Sequence, residues 1–121
     1  MKFTREMPGT LTIHSVSDDQ IRIGGQVFSD AVAMTAETLL DDWPAKAIDD
    51  LTDGDFAVLL DAHPEVIILG TGNNNVFPPR ELVFAMARRG VGFEVMTTRA
   101  AASTFNVLAG EGRQVAAVLY L

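Results

Sequence analysis

Few residues in this chain could carry out chemistry. Its histidines are His14 and His63, and neither stands at metal-ligand spacing to the other. Its lysines are Lys2 and Lys46, and cysteine is absent, which removes disulfides, zinc–thiolate sites and thiol nucleophiles. No Gly-x-Ser-x-Gly elbow occurs. The paired acids Asp41-Asp42 and Asp49-Asp50 fall in predicted loops, where both members stay ionised. A general acid needs burial or a close like charge to raise its pKa. These residues favour a non-catalytic protein over an enzyme, and they imply no metal and no cofactor.

One segment does suggest a ligand. Gly70-Thr71-Gly72 follows the apolar run Val66-Ile67-Ile68-Leu69, and Asn73, Asn74 and Asn75 come next, before Pro79 opens a helix. Ligands of open parallel sheets sit outside the carboxyl ends of strands, and a helix N-terminus there offers amides to an anion. Arg80 adds a positive charge. Met96-Thr97-Thr98-Arg99 ends the next predicted strand and places two hydroxyls and a guanidinium on the same edge. The candidate ligand residues are therefore Gly70, Thr71, Gly72, Asn73, Arg80, Thr97 and Thr98, with a small anion as the ligand class. The alternative is a tight turn in which glycine and asparagine serve backbone geometry. Asn75 stands where a dinucleotide fingerprint needs its third glycine, and no Walker lysine follows.

The charge is uneven. The chain of 121 residues has a net charge of −7, which argues against a nucleic-acid-binding face. Residues 1–65 hold 13 acids against 4 bases, while residues 66–121 hold 3 acids against 5 bases. The acidic stretch from Glu37 to Glu65 is either a solvated face or a docking surface for a basic protein partner. The apolar loop Val76-Phe77-Pro78-Pro79 either docks on another subunit or folds Phe77 back onto the core.

The elements that position these residues follow from periodicity. Leu11 and Ile13, then Ile21 and Ile23, alternate with polar residues as half-buried strands do. Gly24-Gly25 suits a two-residue hairpin turn. Val27, Phe28 and Ala31–Thr35 are predicted to continue this antiparallel meander. Lys46–Asp49 is predicted as a short strand. Thr52 caps a helix with Phe56, Leu59 and Leu60 on its buried stripe, and His63-Pro64 stops it. Val66–Leu69 is a strand covered on both faces. A helix from Pro79 to about Arg89 buries Leu82, Val83, Met86 and Ala87. Val91–Met96 is a strand, Thr98 caps a helix over Ala100–Ala109, and Gln114–Leu121 is the last strand. Asn106 lies within that last helix, where it either bonds a neighbouring segment or faces water. Glu111-Gly112-Arg113 reads as a local ion pair around a glycine turn.

Alternating strands and helices with short links imply parallel strands and right-handed crossovers. The expectation is a single α/β domain over residues 1–121, three-layered, with a mixed sheet of parallel β-α-β units and an N-terminal antiparallel β-meander. The meander either extends that sheet or packs as a small sheet over one face. Residues 1–9 are expected to be flexible. No apolar stretch follows Lys2 and Arg5, so no secretory signal is read, no membrane span is expected, and the default location is cytoplasmic.

Ile-Leu-Gly-Thr-Gly at 68–72, Glu-Val-Met-Thr-Thr at 94–98 and Thr-Phe-Asn-Val-Leu-Ala-Gly-Glu-Gly-Arg at 104–113 occur together in this order. With these motifs the chain resembles a family of small uncharacterised prokaryotic α/β proteins that includes the mitochondrial respiratory complex I assembly factor 3. The resemblance implies a three-layer fold with a central mixed sheet and no established enzyme activity. It also implies a role in binding partner proteins during assembly.

Overall fold

The apolar run at Val66 forms the centre of the molecule. In a computed structural model, which describes residues 11–40, 42–44 and 46–121, every residue of Val66–Thr71 is buried. The expected flexibility of residues 1–9 lies outside the described residues, as does Asp41 of the Asp41-Asp42 pair.

Among the described residues, eight strands form two sheets. Strands β1 (Ile13–Val16), β2 (Ile21–Ile23) and β3 (Gln26–Phe28) make a three-stranded antiparallel sheet. Gly24 and Gly25 turn it with φ of 54° and 91°, the left-handed values that a two-residue hairpin requires. The larger sheet has the order β5-β4-β8-β6-β7, with β4 at Val32–Thr35, β5 at Leu39–Leu40, β6 at Val66–Thr71, β7 at Gly92–Met96 and β8 at Val115–Tyr120. Within it, β6 runs parallel to β7 and β8, while β4 is antiparallel to β8.

Strand β4 therefore does not continue the meander. It pairs Val32 with Leu119 and Met34 with Ala117. All three of Val32, Ala33 and Met34 are buried, and a run covered on both faces belongs inside a layered sheet rather than in a half-exposed hairpin. Lys46–Asp49 is not a strand either: Ile48–Asp50 forms a 3-10 turn. The chain then enters a second 3-10 turn at Asp53–Phe56 and the short helix α1 at Ala57–Leu60.

Alternation along the strands divides the core in two. Ala33, Ile67, Leu69, Ala116 and Val118 face a layer of Leu51, Phe56, Leu59 and residues of helix α2 (Arg80–Arg88). Met34, Ile68, Ala117 and Leu119 face the other way, toward Ala101 and Phe105 of helix α3 (Thr98–Gly110) and Ile13, Ile21 and Ile23 of the small sheet. The meander is thus a separate sheet that shares one face with α3, giving three layers. Helices α2 and α3 lie on opposite faces because the chain steps outward from β6 to β7 and then back across β6 to β8. A constant crossover hand demands opposite faces for opposite steps.

Asn106 pins the small sheet to α3. Its Oδ1 accepts from the Ile13 N–H at 3.0 Å and its Nδ2 donates to the Ile13 carbonyl at 2.8 Å, so the side chain completes the edge of β1 as a neighbouring strand would. Arg99 adds a second strap, donating to the Val16 carbonyl at 2.6 Å. Arg113 pairs with Glu65 at 3.2 Å and not with Glu111, which corrects the local pair read from sequence.

The buried stripe of α2 is Leu82, Ala85 and Met86, whereas Val83 and Phe84 are exposed. Val83 and Ala87 were expected inside. The helix is rotated so that Ala85 is buried with Leu82 and Met86, and Phe84 is turned out.

Candidate functional site

The carboxyl edge of the parallel strands brings most of the predicted ligand residues together. Gly70 pairs in register with Met96 of β7 and Leu119 of β8, so Gly70–Gly72 and Thr97–Thr98 are neighbours. Gly70 and Thr71 belong to the strand, and only Gly72 takes a positive φ, at 89°. Gly70 is needed for a different reason. A Cβ there would stand 2.9 Å from the Cα and Oγ1 of Thr98, so the absence of a side chain is what lets α3 start against β6.

The two buried threonines are saturated by the fold. Thr98 Oγ1 accepts from the Gly72 N–H at 2.8 Å and donates to the Tyr120 carbonyl, and the Thr98 N–H returns a bond to the Gly72 carbonyl at 3.0 Å. Thr71 Oγ1 donates to the Asn74 carbonyl at 2.6 Å and accepts from the Val76 N–H at 3.2 Å. Thr97, rather than Thr98, is the N-cap of α3, its Oγ1 accepting from the Ala100 N–H. Asn73 is exposed and donates to Asp18 at 3.2 Å. Arg80 is exposed at the first position of α2 and makes no ion pair among the described residues. Among the described residues no group of histidine or acid side chains could hold a metal ion.

An open groove of about 620 Å³ lies beside this edge, lined by Ser29, Asp30, Trp43, Lys46, Thr71 and Tyr120 among others. Trp43 and Tyr120 were not singled out from sequence, because their pairing spans the chain. Trp43 Nε1 donates to the Tyr120 hydroxyl, which donates to the Lys46 carbonyl, both at 3.0 Å. Burial raises the Tyr120 phenol above its usual 10.0. Trp43 also meets Phe56 edge-on at 5.1 Å, and Phe56 meets Phe93 at 5.8 Å. The loop before Ile48 is thereby tied to the sheet.

Asp55 anchors the same loop. Its carboxylate lies 2.9 Å from Lys46 Nζ and accepts from the Thr52 N–H at 2.9 Å. Burial pushes the carboxyl upward, but the bonds from Lys46 and Thr52 outweigh it and hold the pKa below the usual 3.8. A depressed acid stabilises the fold above its unfolded pKa, and the gain disappears as pH falls through the folded value. Asp55→Asn is therefore expected to cost about 1 kcal/mol at neutral pH. In urea unfolding the two proteins should converge below pH 3.8, and an unchanged gap there would exclude the ionised carboxylate as the source.

The outer side of α2 has a different character. Phe77 is 81% exposed and Phe84 52%, with Val76 and Val83 also exposed. Arg80 and Arg88 share this exposed side. Phe77 does not fold back onto the core. The loop that carries it is held by the bonds of Thr71 to Asn74 and Val76 and by buried Pro78. No helix among the described residues is long and apolar enough to cross a membrane.

Residues 13–120 match a protein family described as "Protein of unknown function (DUF498/DUF598)". A mouse protein named NADH dehydrogenase [ubiquinone] 1 alpha subcomplex assembly factor 3 is 32% identical over 117 residues, which is 94% of this chain and 62% of that protein. The chain thus spans about three-fifths of the length of this relative. An NMR structure of a Xanthomonas campestris protein is 32% identical and superposes with a TM-score of 0.85, covering 99% of this chain and 92% of the other. A Bordetella pertussis protein described as a Mth938-like domain is 29% identical with a TM-score of 0.81, covering 99% of this chain and 92% of the other.

Proposed function

The chain belongs to the DUF498/DUF598 family of proteins of unknown function, and from that premise we propose that it is a non-catalytic protein-interaction module of the assembly-factor kind. The observation that carries this reading is the outer side of α2, where Phe84 is 52% exposed beside Val83 and Arg88. Aromatic residues, phenylalanine included, and arginine are enriched at protein interfaces relative to the rest of the surface. A helix whose inner side is already seated on the sheet has no structural use for them. The assembly-factor names of relatives support the same reading.

The test is affinity capture of the tagged chain from its own cells at low salt, alongside Phe84→Asp. The substitution falls on an exposed side chain, so the fold should survive, as circular dichroism would show. A protein recovered by the parent and lost with Phe84→Asp is the expected result. Identical recovery by both, or recovery of nothing, would count against the reading.

A second reading is a small-anion or metabolite-binding protein, possessing an enzyme activity or not, and one observation favours it. The groove of about 620 Å³ lies against Thr71 at the carboxyl edge of β6 and β8, within the size range of ligand pockets and at the place where parallel sheets bind ligands. An amide NMR titration with phosphate, nucleotides and pooled metabolites tests it. Saturable shifts clustered at the groove lining, residues 29–31, 46–48, 71 and 120–121, would support it, and a well-folded spectrum that does not move would remove it.

A further inference from the structure

The end of α2 nearest β6 carries both a projecting group and a recess. The projecting group is Phe77, 81% exposed on a loop held by Thr71, with Arg80 three residues on. Among the described residues Arg80 makes no ion pair. The recess is a groove of about 350 Å³ between the 3-10 turns and the start of α2. Its apolar lining is Leu51, Pro79 and Leu82, and its acids are Asp49, Asp50, Asp53 and Glu81. Asp53 is engaged by Arg89 at 3.1 Å, while Asp49 and Asp50 are in no ion pair among the described residues.

We propose that two copies of this chain pair through this end of α2, with Phe77 and Arg80 of each copy seated in the carboxylate-lined groove of the other. The proposal rests on the reading of the chain as a protein-interaction module and names a second copy as the partner. Size agrees, because a cavity of roughly 150 Å³ suffices for a benzene ring and the groove is larger. Charge agrees, because the unpaired guanidinium meets the unpaired carboxylates of Asp49 and Asp50. Layout agrees as well. A two-fold contact requires that one surface contain both complementary halves side by side, and Phe77 precedes Pro79 of the groove wall by two residues, a chain reach of at most about 7 Å. Phe77 does not occupy the groove of its own chain, since it is exposed.

Sedimentation equilibrium of the full chain from micromolar to millimolar concentration tests this. A monomer–dimer equilibrium is expected that weakens about tenfold or more between low and high salt, because the charged pairs are screened. Phe77→Asp, a change at an exposed position, should weaken it at least as much. The sharpest arm uses two variants, Arg80→Glu and the double variant Asp49→Lys with Asp50→Lys. Each alone places like charges in both contacts and should stay monomeric. Mixed in equal amounts they present opposite charges in both contacts, so the mixture should form a heterodimer. A parent chain that is monomeric at every concentration overturns the proposal, and so does a dimer unaffected by these substitutions. The Phe84-dependent capture decides the broader interaction reading independently, so the two can fail separately.

Discussion

Gly70→Ala is expected to destabilise the chain by about 2–3 kcal/mol, the upper part of the roughly 1–3 kcal/mol range for overpacking a tightly filled interior. That corresponds to a fall of roughly 10 °C in Tm for a domain of this size. The cause is contact. The new methyl would stand 2.9 Å from the Thr98 Cα and 3.1 Å from the Ala101 Cβ. The Cα belongs to helix backbone and cannot swing aside as a side-chain tip could, so α3 must lift from β6. Gly70→Val should prevent folding. Gly110→Ala is the matched control, because nothing lies within 4 Å of its Cβ position and its φ is not left-handed. Alanine at that helical position should be neutral or gain up to about 1 kcal/mol. Thermal unfolding followed by circular dichroism distinguishes the cases. Equal losses at Gly70 and Gly110 would show that the close approach of α3 is not what selects glycine at 70.

Thr98→Val is expected to cost about 2–4 kcal/mol, and Thr98→Ser about 1 kcal/mol. Valine keeps the shape but loses the hydroxyl, which leaves the Gly72 N–H and one bond to the Tyr120 carbonyl without their partner. A buried polar group left unpaired costs about 1–3 kcal/mol. Serine keeps both bonds and loses only a buried methyl, worth about 0.8 kcal/mol. Thr98 is 1% exposed, so water cannot easily replace the hydroxyl. Urea unfolding of the three proteins measures the differences. The Gly72 amide should also lose its protection from hydrogen exchange in Thr98→Val alone. If valine proved milder than serine, the methyl rather than the hydroxyl would be the group that matters at this position.

Both residues show why the shared strand edge is legible in the sequence but its bonding is not. The glycines and threonines at 70–72 and 97–98 stood out by type, and the expectation that they share an edge follows from parallel strands with short links. Their hydrogen-bond partners are another matter. Thr98 bonds Gly72 and Tyr120, 26 and 22 residues away, and no local pattern encodes that choice. Trp43 and Tyr120 are 77 residues apart, so the contact that ties the loop to the sheet carries no sequence spacing at all. The sequence leaves two outcomes for Phe77, core or surface. In the structure Pro78 is buried and Phe77 is exposed, on a loop held by the Thr71 hydroxyl.

Features with short-range causes are legible in the chain alone. Val66–Leu69 reads as a fully covered strand because four apolar residues in succession need cover on both faces. Gly24-Gly25 reads as a hairpin because the turn needs two left-handed residues. The alternation of strand and helix after residue 65 predicts parallel pairing. Other features depend on distant packing: β4 leaves the meander to pair with β8, α2 buries Ala85 and exposes Phe84, and the small sheet shares a face with α3. Periodicity specifies that an element has an apolar side, but which neighbour covers that side depends on the total area and volume that the whole chain can bury together. Residues such as Ala85 and Phe84, adjacent in sequence and both apolar, can be sorted only by that competition.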